Sequence, residues 1–245
     1  MPANAPRPNH KALARTAGAI YLIVVLTGVF GLMYVPSRLF VRDDATATVR
    51  NLVEHTDLFR LGIAAGFLGY IAFLLLPLAL HRLLGAVSSR AAALMVAFAT
   101  ASVPISLFNL THKLDVLSLL GDAAYLRAFS VEQRDAMVML SLDAYNNGIA
   151  VAMLFWGLWL LPFGYLVYKS GFLPRTLGIL LMLGCFGYLI QLFGDTLFAN
   201  YAQSALSGVV TLPATLGEIG ICFWLLIVGT KNAVIEPTIA DSPKA

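Results

Sequence analysis

The sequence predicts an all-α, polytopic membrane protein, a bundle of six transmembrane helices. Three observations carry that prediction. Of 245 residues, 59% are hydrophobic and 12% are charged, against about 25% charged in soluble domains. The mean hydropathy is +0.82. Several apolar runs approach or exceed the roughly twenty residues a helix needs to cross the hydrocarbon core. The length suits one helical bundle without a separate soluble domain.

Residues 1–15 are polar and proline-rich and read as a disordered basic leader with Arg7, Lys11 and Arg15. The transmembrane domain is expected over 16–232. Its first apolar run, 16–37, is longer than a signal-peptide core and lacks a small-x-small cleavage site, so it reads as helix one. A mixed-charge connector, 38–57, has room for a short amphipathic helix around 45–55. Helix two covers 59–80 and closes at His81 and Arg82. Helix three covers 91–120, with Pro104 as the expected kink. A second mixed-charge connector, 121–135, leads into helix four, 136–168, long enough to tilt or project from the bilayer. Gly171 and Pro174 break the chain between Lys169 and Arg175. Helix five covers 176–198 and helix six 207–230. Residues 233–245 read as a disordered polar tail.

Basic residues set the expected orientation. One side takes the leader, the turns after helices two and four, and the tail; it holds nine Lys and Arg against two acids, Glu236 and Asp241. The rest of the chain holds seven basic and eleven acidic residues. The positive-inside rule then puts the N- and C-termini in the cytoplasm of a cell whose inner (plasma) membrane the chain spans. The net charge of +3 gives no nucleic-acid signal; the expected partners are the lipid bilayer and a small-molecule or lipid ligand. Cys185 and Cys222 both fall in apolar runs and read as small buried hydrophobes.

Several segments carry a resemblance. They are Arg15-Thr-Ala-Gly-Ala-Ile-Tyr-Leu22, Leu58-Phe-Arg-Leu-Gly62, the stretch from Gly164 to Gly178 containing Ser170-Gly-Phe-Leu-Pro-Arg175, Gly187-Tyr-Leu189, and Gly217-Glu-Ile with Trp224-Leu-Leu226. Together they resemble the bacterial membrane-protein family called domain of unknown function 4386, over about 13–232. The resemblance implies a multi-helix inner-membrane protein and brings no activity, cofactor or substrate with it.

Chemistry must therefore be sought in the residues. Glu218 stands inside the last apolar run, and an ionisable group there usually faces a bundle interior or a water-filled cavity. At about 1.5 Å of rise per residue it lies roughly 18 Å from the cytoplasmic end. Thr27, Tyr70 and Tyr188 lie at similar depth, and Gln191 slightly further out. Glu218 is either a relay or ligand anchor, or a tie between helices. A second polar group lies toward the outer face: Arg60, then Asn109, His112 and Asp115 at steps of three, Asp143, Asn146 and Asn147 on one helical face, and Asp195 four residues after Gln191. The opposite halves of helices two, four and five carry almost no charge, which predicts an outward-facing polar cavity over a sealed cytoplasmic half. The alternative is that His112, Asp115 and Asp143 sit at the interface and the amides act as interhelical glue.

No cofactor is evident. His10 and His81 fall on one side and His55 and His112 on the other, so no three can form a zinc site. A mixed site of His112 with Asp115, Asp143 or Glu218 has no motif behind it. HExxH and GxSxG are absent. Gly62 and Gly66 have the spacing of close helix packing, and Gly217 and Gly220 flank Glu218 as an expected bend. The leading expectation is a non-enzymatic module binding a small molecule or lipid, transporter- or sensor-like, with Glu218 as the cavity floor and Arg60, Asn147 and Gln191 as contacts. A lipid-modifying membrane enzyme and a structural or partner-binding protein remain as alternatives.

Overall fold

The computed structural model describes residues 10–230, and their regular structure is entirely helical. Six helices are long and apolar enough to cross a membrane. We label the elements α1 (His10–Leu39), α2 (Ala45–Glu54), α3 (Thr56–Leu84), α4 (Ser89–Leu119), α5 (Val131–Lys169), α6 (Arg175–Leu197) and α7 (Ala205–Val228). α2 is the short helix expected in the first connector, and the other six are the candidate spans.

Local chemistry sets the starts. Asp44 caps α2 by accepting from the Ala47 backbone N–H at 2.8 Å. Ser88 caps α4 in the same way through Ala91. Ser130 and Gln133 form a reciprocal capping box at the start of α5. Residues 10–15, expected in the leader, are helical. Lys11 to Arg15 are good helix formers and extend α1 back to His10, while 1–9 and the expected tail, 233–245, lie outside the described residues. Arg15 reaches the last turn of α7, where its guanidinium donates to the Ile227 carbonyl at 3.5 Å. A cation is favoured against such end-of-helix carbonyls.

Proline accounts for one discontinuity, in α7, and not for the other, in α4. α4 runs through Pro104 and breaks at Leu110, whose N–H is shared between the Ser106 and Leu107 carbonyls. α7 breaks before Leu212, immediately ahead of Pro213, and ends in a π-helical turn, Trp224–Val228. Gly217 and Gly220 lie within its continuous part, with Gly217 close against the α6 backbone at Leu181. They are packing positions, not the bend. Gly62 admits the Val35 side chain of α1, and Gly66 admits Leu110 of α4, so that pair also serves internal packing.

Two apolar clusters close the interior at its ends. Near the ends of α1 and α7, Tyr21, Phe73, Trp159 and Phe163 pack together with Leu76, Leu80 and Leu160. At the far end, Leu52 of α2 packs with Val35, Leu39, Phe59, Ile63, Val116, Val138 and Leu142. Thr48, fully buried, ties α2 back to the chain through the Val41 backbone. The cavity lies between these clusters.

α1 and α7 cross in direct backbone contact. A Cβ on Gly18 would stand 2.5 Å from the Leu226 nitrogen, and the Cys222 thiol points at the Gly18 carbonyl at 3.8 Å. At Gly28, three turns on, a Cβ would meet nothing within 4 Å. Gly18→Val should therefore force the helices apart and destabilise the protein by about 1–3 kcal/mol. Gly28→Ala should be neutral or stabilising by up to about 1 kcal/mol. Thermal unfolding of the two variants in detergent checks this; equal losses would contradict the crossing.

Candidate functional site

A cavity of about 280 Å³ lies among the helices, and all six candidate spans line it. α1 supplies Tyr21, Val24, Val25, Thr27, Gly28, Val29, Gly31, Leu32 and Met33; α3 supplies Gly62, Ala65, Gly66, Gly69, Tyr70 and Phe73; α4 supplies Lys113. α5 adds Tyr145, Trp156 and Trp159, α6 adds Tyr188, and α7 adds Thr215, Glu218 and Ile219.

The inner end is aromatic. Trp159 is fully buried, stacked on Phe163 with ring centroids 5.1 Å apart and met edge-on by Phe73, also at 5.1 Å. Tyr21 lies against the same indole at 6.2 Å. The Tyr21 hydroxyl is directed at α7. It donates to Glu218 Oε1 at 3.1 Å. From the other side Tyr188 donates to Oε2 at 3.2 Å. Each carboxyl oxygen thus has one hydroxyl donor, and three helices meet at one side chain.

Lys113 marks the other end. It is 2% exposed, yet its Nζ lies 4.0 Å from the centroid of the Tyr145 ring. Among the described residues the ion pair within 4 Å is His112 with Asp115, at 3.7 Å; Lys113 has no carboxylate partner. A cation over a tyrosine face in a desolvated site recovers about 2 kcal/mol. Burying an ion costs several kcal/mol even after relaxation, so the ring alone does not offset it. The position of Lys113 is set one turn earlier. Asn109 Nδ2 donates to the Tyr145 carbonyl at 2.8 Å, and Gly148 makes room for the Asn109 side chain. That tie holds α4 to α5 and seats Lys113 over Tyr145. The Tyr145 hydroxyl in turn neighbours that of Tyr70.

The rim lies on two helices. Val29, Leu32, Met33, Thr215 and Ile219 are the exposed lining residues, on α1 and α7, while the lining from α3 to α6 is buried or half-buried. The cavity differs in two respects from the outward-facing polar one expected. It opens sideways, because the α2 cluster covers the far end. Its walls are mainly apolar, with polar groups concentrated at Glu218 and Lys113.

Of the residues singled out in the sequence, Glu218, Tyr188, Tyr70 and Thr27 line this cavity. Tyr188 bonds Glu218 as depth matching suggested, but Thr27 returns its hydroxyl to the Ile23 carbonyl of its own helix at 2.7 Å. Gln191 donates to Asp195 at 2.7 Å and to Ser207 at 3.3 Å, joining α6 to the start of α7 outside the cavity. Arg60, Asp143, Asn146, Asn147 and Asp195 are exposed and do not line it. His112 is half-buried beside Asp115. Asp143 stands about 39 Å along α5 from Lys169 at 1.5 Å per residue, beyond a hydrocarbon core about 30 Å thick, so exposure there carries no penalty. Tyr21, Lys113, Tyr145, Trp156 and Trp159 were not among the sequence candidates. The four aromatics gave no signal that separates a cavity wall from ordinary packing.

Comparison with known proteins adds a lineage. The family model described as Domain of unknown function (DUF4386) matches residues 16–229. An "Uncharacterized protein" of Archaeoglobus fulgidus is 35% identical over 99 residues, 40% of this chain and 56% of the relative. The chain thus spans about half the length of that curated relative. No solved structure matches it.

If the tyrosines serve Glu218, their value depends on it. Tyr188→Phe should cost about 1 kcal/mol, the net worth of one hydrogen bond with its partner left behind. In a Glu218→Leu background the same change should cost nothing, since the hydroxyl is then itself unpaired. A double-mutant cycle by thermal unfolding measures this coupling; a coupling of zero would mean the bond carries no stability.

Proposed function

The chain belongs to the DUF4386 family, and we propose that it binds an amphipathic small molecule or lipid in the cavity among its six long helices, without transforming it. The observation that supports this reading is the rim. Its exposed residues belong to α1 and α7 and are mostly apolar, whereas the interior ends in a carboxyl group and an ammonium group. Apolar walls with a few convergent polar groups are the usual make-up of a small-molecule site, although 280 Å³ lies just below the usual range of about 300–1,000 Å³. A ligand dissolved in the bilayer reaches such a cavity sideways and needs no aqueous path.

The distribution of Lys and Arg supports a place in the inner membrane of the cell, with the basic turns and both termini toward the cytoplasm. In that orientation the aromatic end of the cavity lies toward the cytoplasm and Lys113 lies toward the outer face. A C-terminal fusion to green fluorescent protein should then fluoresce, and a fusion to alkaline phosphatase at the same position should be inactive. The opposite pair of results would reverse the orientation.

Native mass spectrometry tests the binding itself. Wild-type protein released from mild detergent should retain an adduct of defined mass. Ala65→Phe, which places a ring in the cavity, should lose it. A wild type as bare as that variant overturns the ligand-binding reading and leaves Glu218 as a tie between α1, α6 and α7.

A further inference from the structure

We propose that Lys113 is the anion-binding head of the cavity, and that the ligand class is an anionic amphiphile: one phosphate or carboxylate group on an apolar tail. This deepens the ligand-binding reading and rests on it.

The argument starts from what Lys113 lacks. Its side chain is almost wholly buried, lines the cavity, and has no carboxylate partner among the described residues. The Tyr145 ring at 4.0 Å attracts the ammonium without accepting its protons along a lone pair. Three N–H donors therefore need an acceptor, and the cavity is the open direction. Glu218 does not fill that role. Its two oxygens take the hydroxyls of Tyr21 and Tyr188, and it sits at another level of the membrane. Lys113 is about 36 Å along α4 from Ser89 at 1.5 Å per residue, the level of the outer headgroups. Glu218 is about 15 Å from the end of α7 at Val228, near mid-membrane. Between them run Val24, Val25, Gly28, Ala65 and Gly66, a wall suited to a hydrocarbon chain. Head at Lys113, tail along α1: the level of the charge and the character of the wall agree on one kind of molecule.

The test separates head, tail and scaffold. Three probes are added to the detergent-solubilised protein: dodecyl phosphate, dodecanol and inorganic phosphate. Wild type, Lys113→Met, Lys113→Arg and Ala65→Phe are compared by thermal unfolding and native mass spectrometry. Dodecyl phosphate should raise the Tm of wild type by several degrees and leave a mass adduct. Lys113→Arg should keep most of that response, and Lys113→Met should lose at least tenfold in affinity. Dodecanol and inorganic phosphate should each give little. Without ligand, Lys113→Met should melt no lower than wild type, because it removes an unpaired buried charge.

Several outcomes overturn the proposal. If Lys113→Met melts lower while responding to dodecyl phosphate as wild type does, Lys113 is a structural clamp on Tyr145. If inorganic phosphate matches dodecyl phosphate, the site is one for a free anion. If dodecanol and dodecyl phosphate bind alike, with or without Lys113, and Ala65→Phe abolishes both, the cavity binds ligand and the assignment of its head fails alone. If no probe shifts any variant and wild type carries no adduct, the ligand-binding reading fails with it.

Discussion

Glu218 accepts one hydroxyl from α1 and one from α6, and the meeting of three helices depends on that arrangement. A polar group placed in hydrocarbon must find its partners inside the protein. Here the partners come from helices that lie far apart in sequence, so satisfying one carboxyl group fixes how α1, α6 and α7 approach. The backbone crossing at Gly18 and Leu226 supplies the second fixed point between α1 and α7. With both points on the same half of the membrane, the remaining length of α1 does not have to follow α7, and the cavity rim begins where that contact ends.

The two closed ends have different causes. Near the crossing, Trp159, Phe163, Phe73 and Tyr21 fill the interior with stacked and edge-on rings. At the other end, α2 does the closing, because Leu52 has an apolar patch to enter and Thr48 holds the strap of chain before it. What is left is a lateral cleft. A cavity open to water would have drawn mainly polar residues to its rim; this one has Val29, Leu32, Met33 and Ile219 there, with Thr215 as its one polar residue.

The six spans were legible because twenty apolar residues have few alternatives in water or lipid. Glu218 was legible for the same reason, as a lone carboxylate in such a run, and matched depth brought Tyr188 to it. Depth does not give the face, however. On α4 the sequence reading stepped by three through Asn109, His112 and Asp115. The buried face instead runs through Ser106, Asn109, Leu110, Lys113 and Val116, the three-and-four spacing of a packed stripe. Lys113 stood in that stripe between two aliphatic residues, but a lysine flanked by His and Leu near a helix end reads as an interfacial cation. Its burial is decided by Asn109 reaching the Tyr145 carbonyl and by the space at Gly148, a tertiary bond that single-helix periodicity does not contain. The outer polar group lies off the cavity for the converse reason. Asp143, Asn146 and Asn147 share one face, but α5 is 39 residues long, so that face projects past the core.

A cation and an acid in one cavity would ordinarily be expected to pair. Here each is held apart from the other, Glu218 by two tyrosine hydroxyls and Lys113 by a tyrosine face. If cohesion were the sole requirement, apolar side chains of similar volume would serve as well or better, since buried ionic groups are often neutral or costly beside hydrophobic replacements. A direct pair would also fill the void it spans. Two polar ends that do not pair with each other instead leave the apolar space between them open and give each end of it a different chemistry. Glu218 ties three helices, but Lys113 has no such role, and cohesion alone does not account for a charge left facing the cavity. The proposed ligand, with one charged end and a hydrocarbon body, would use both the charge and the apolar space.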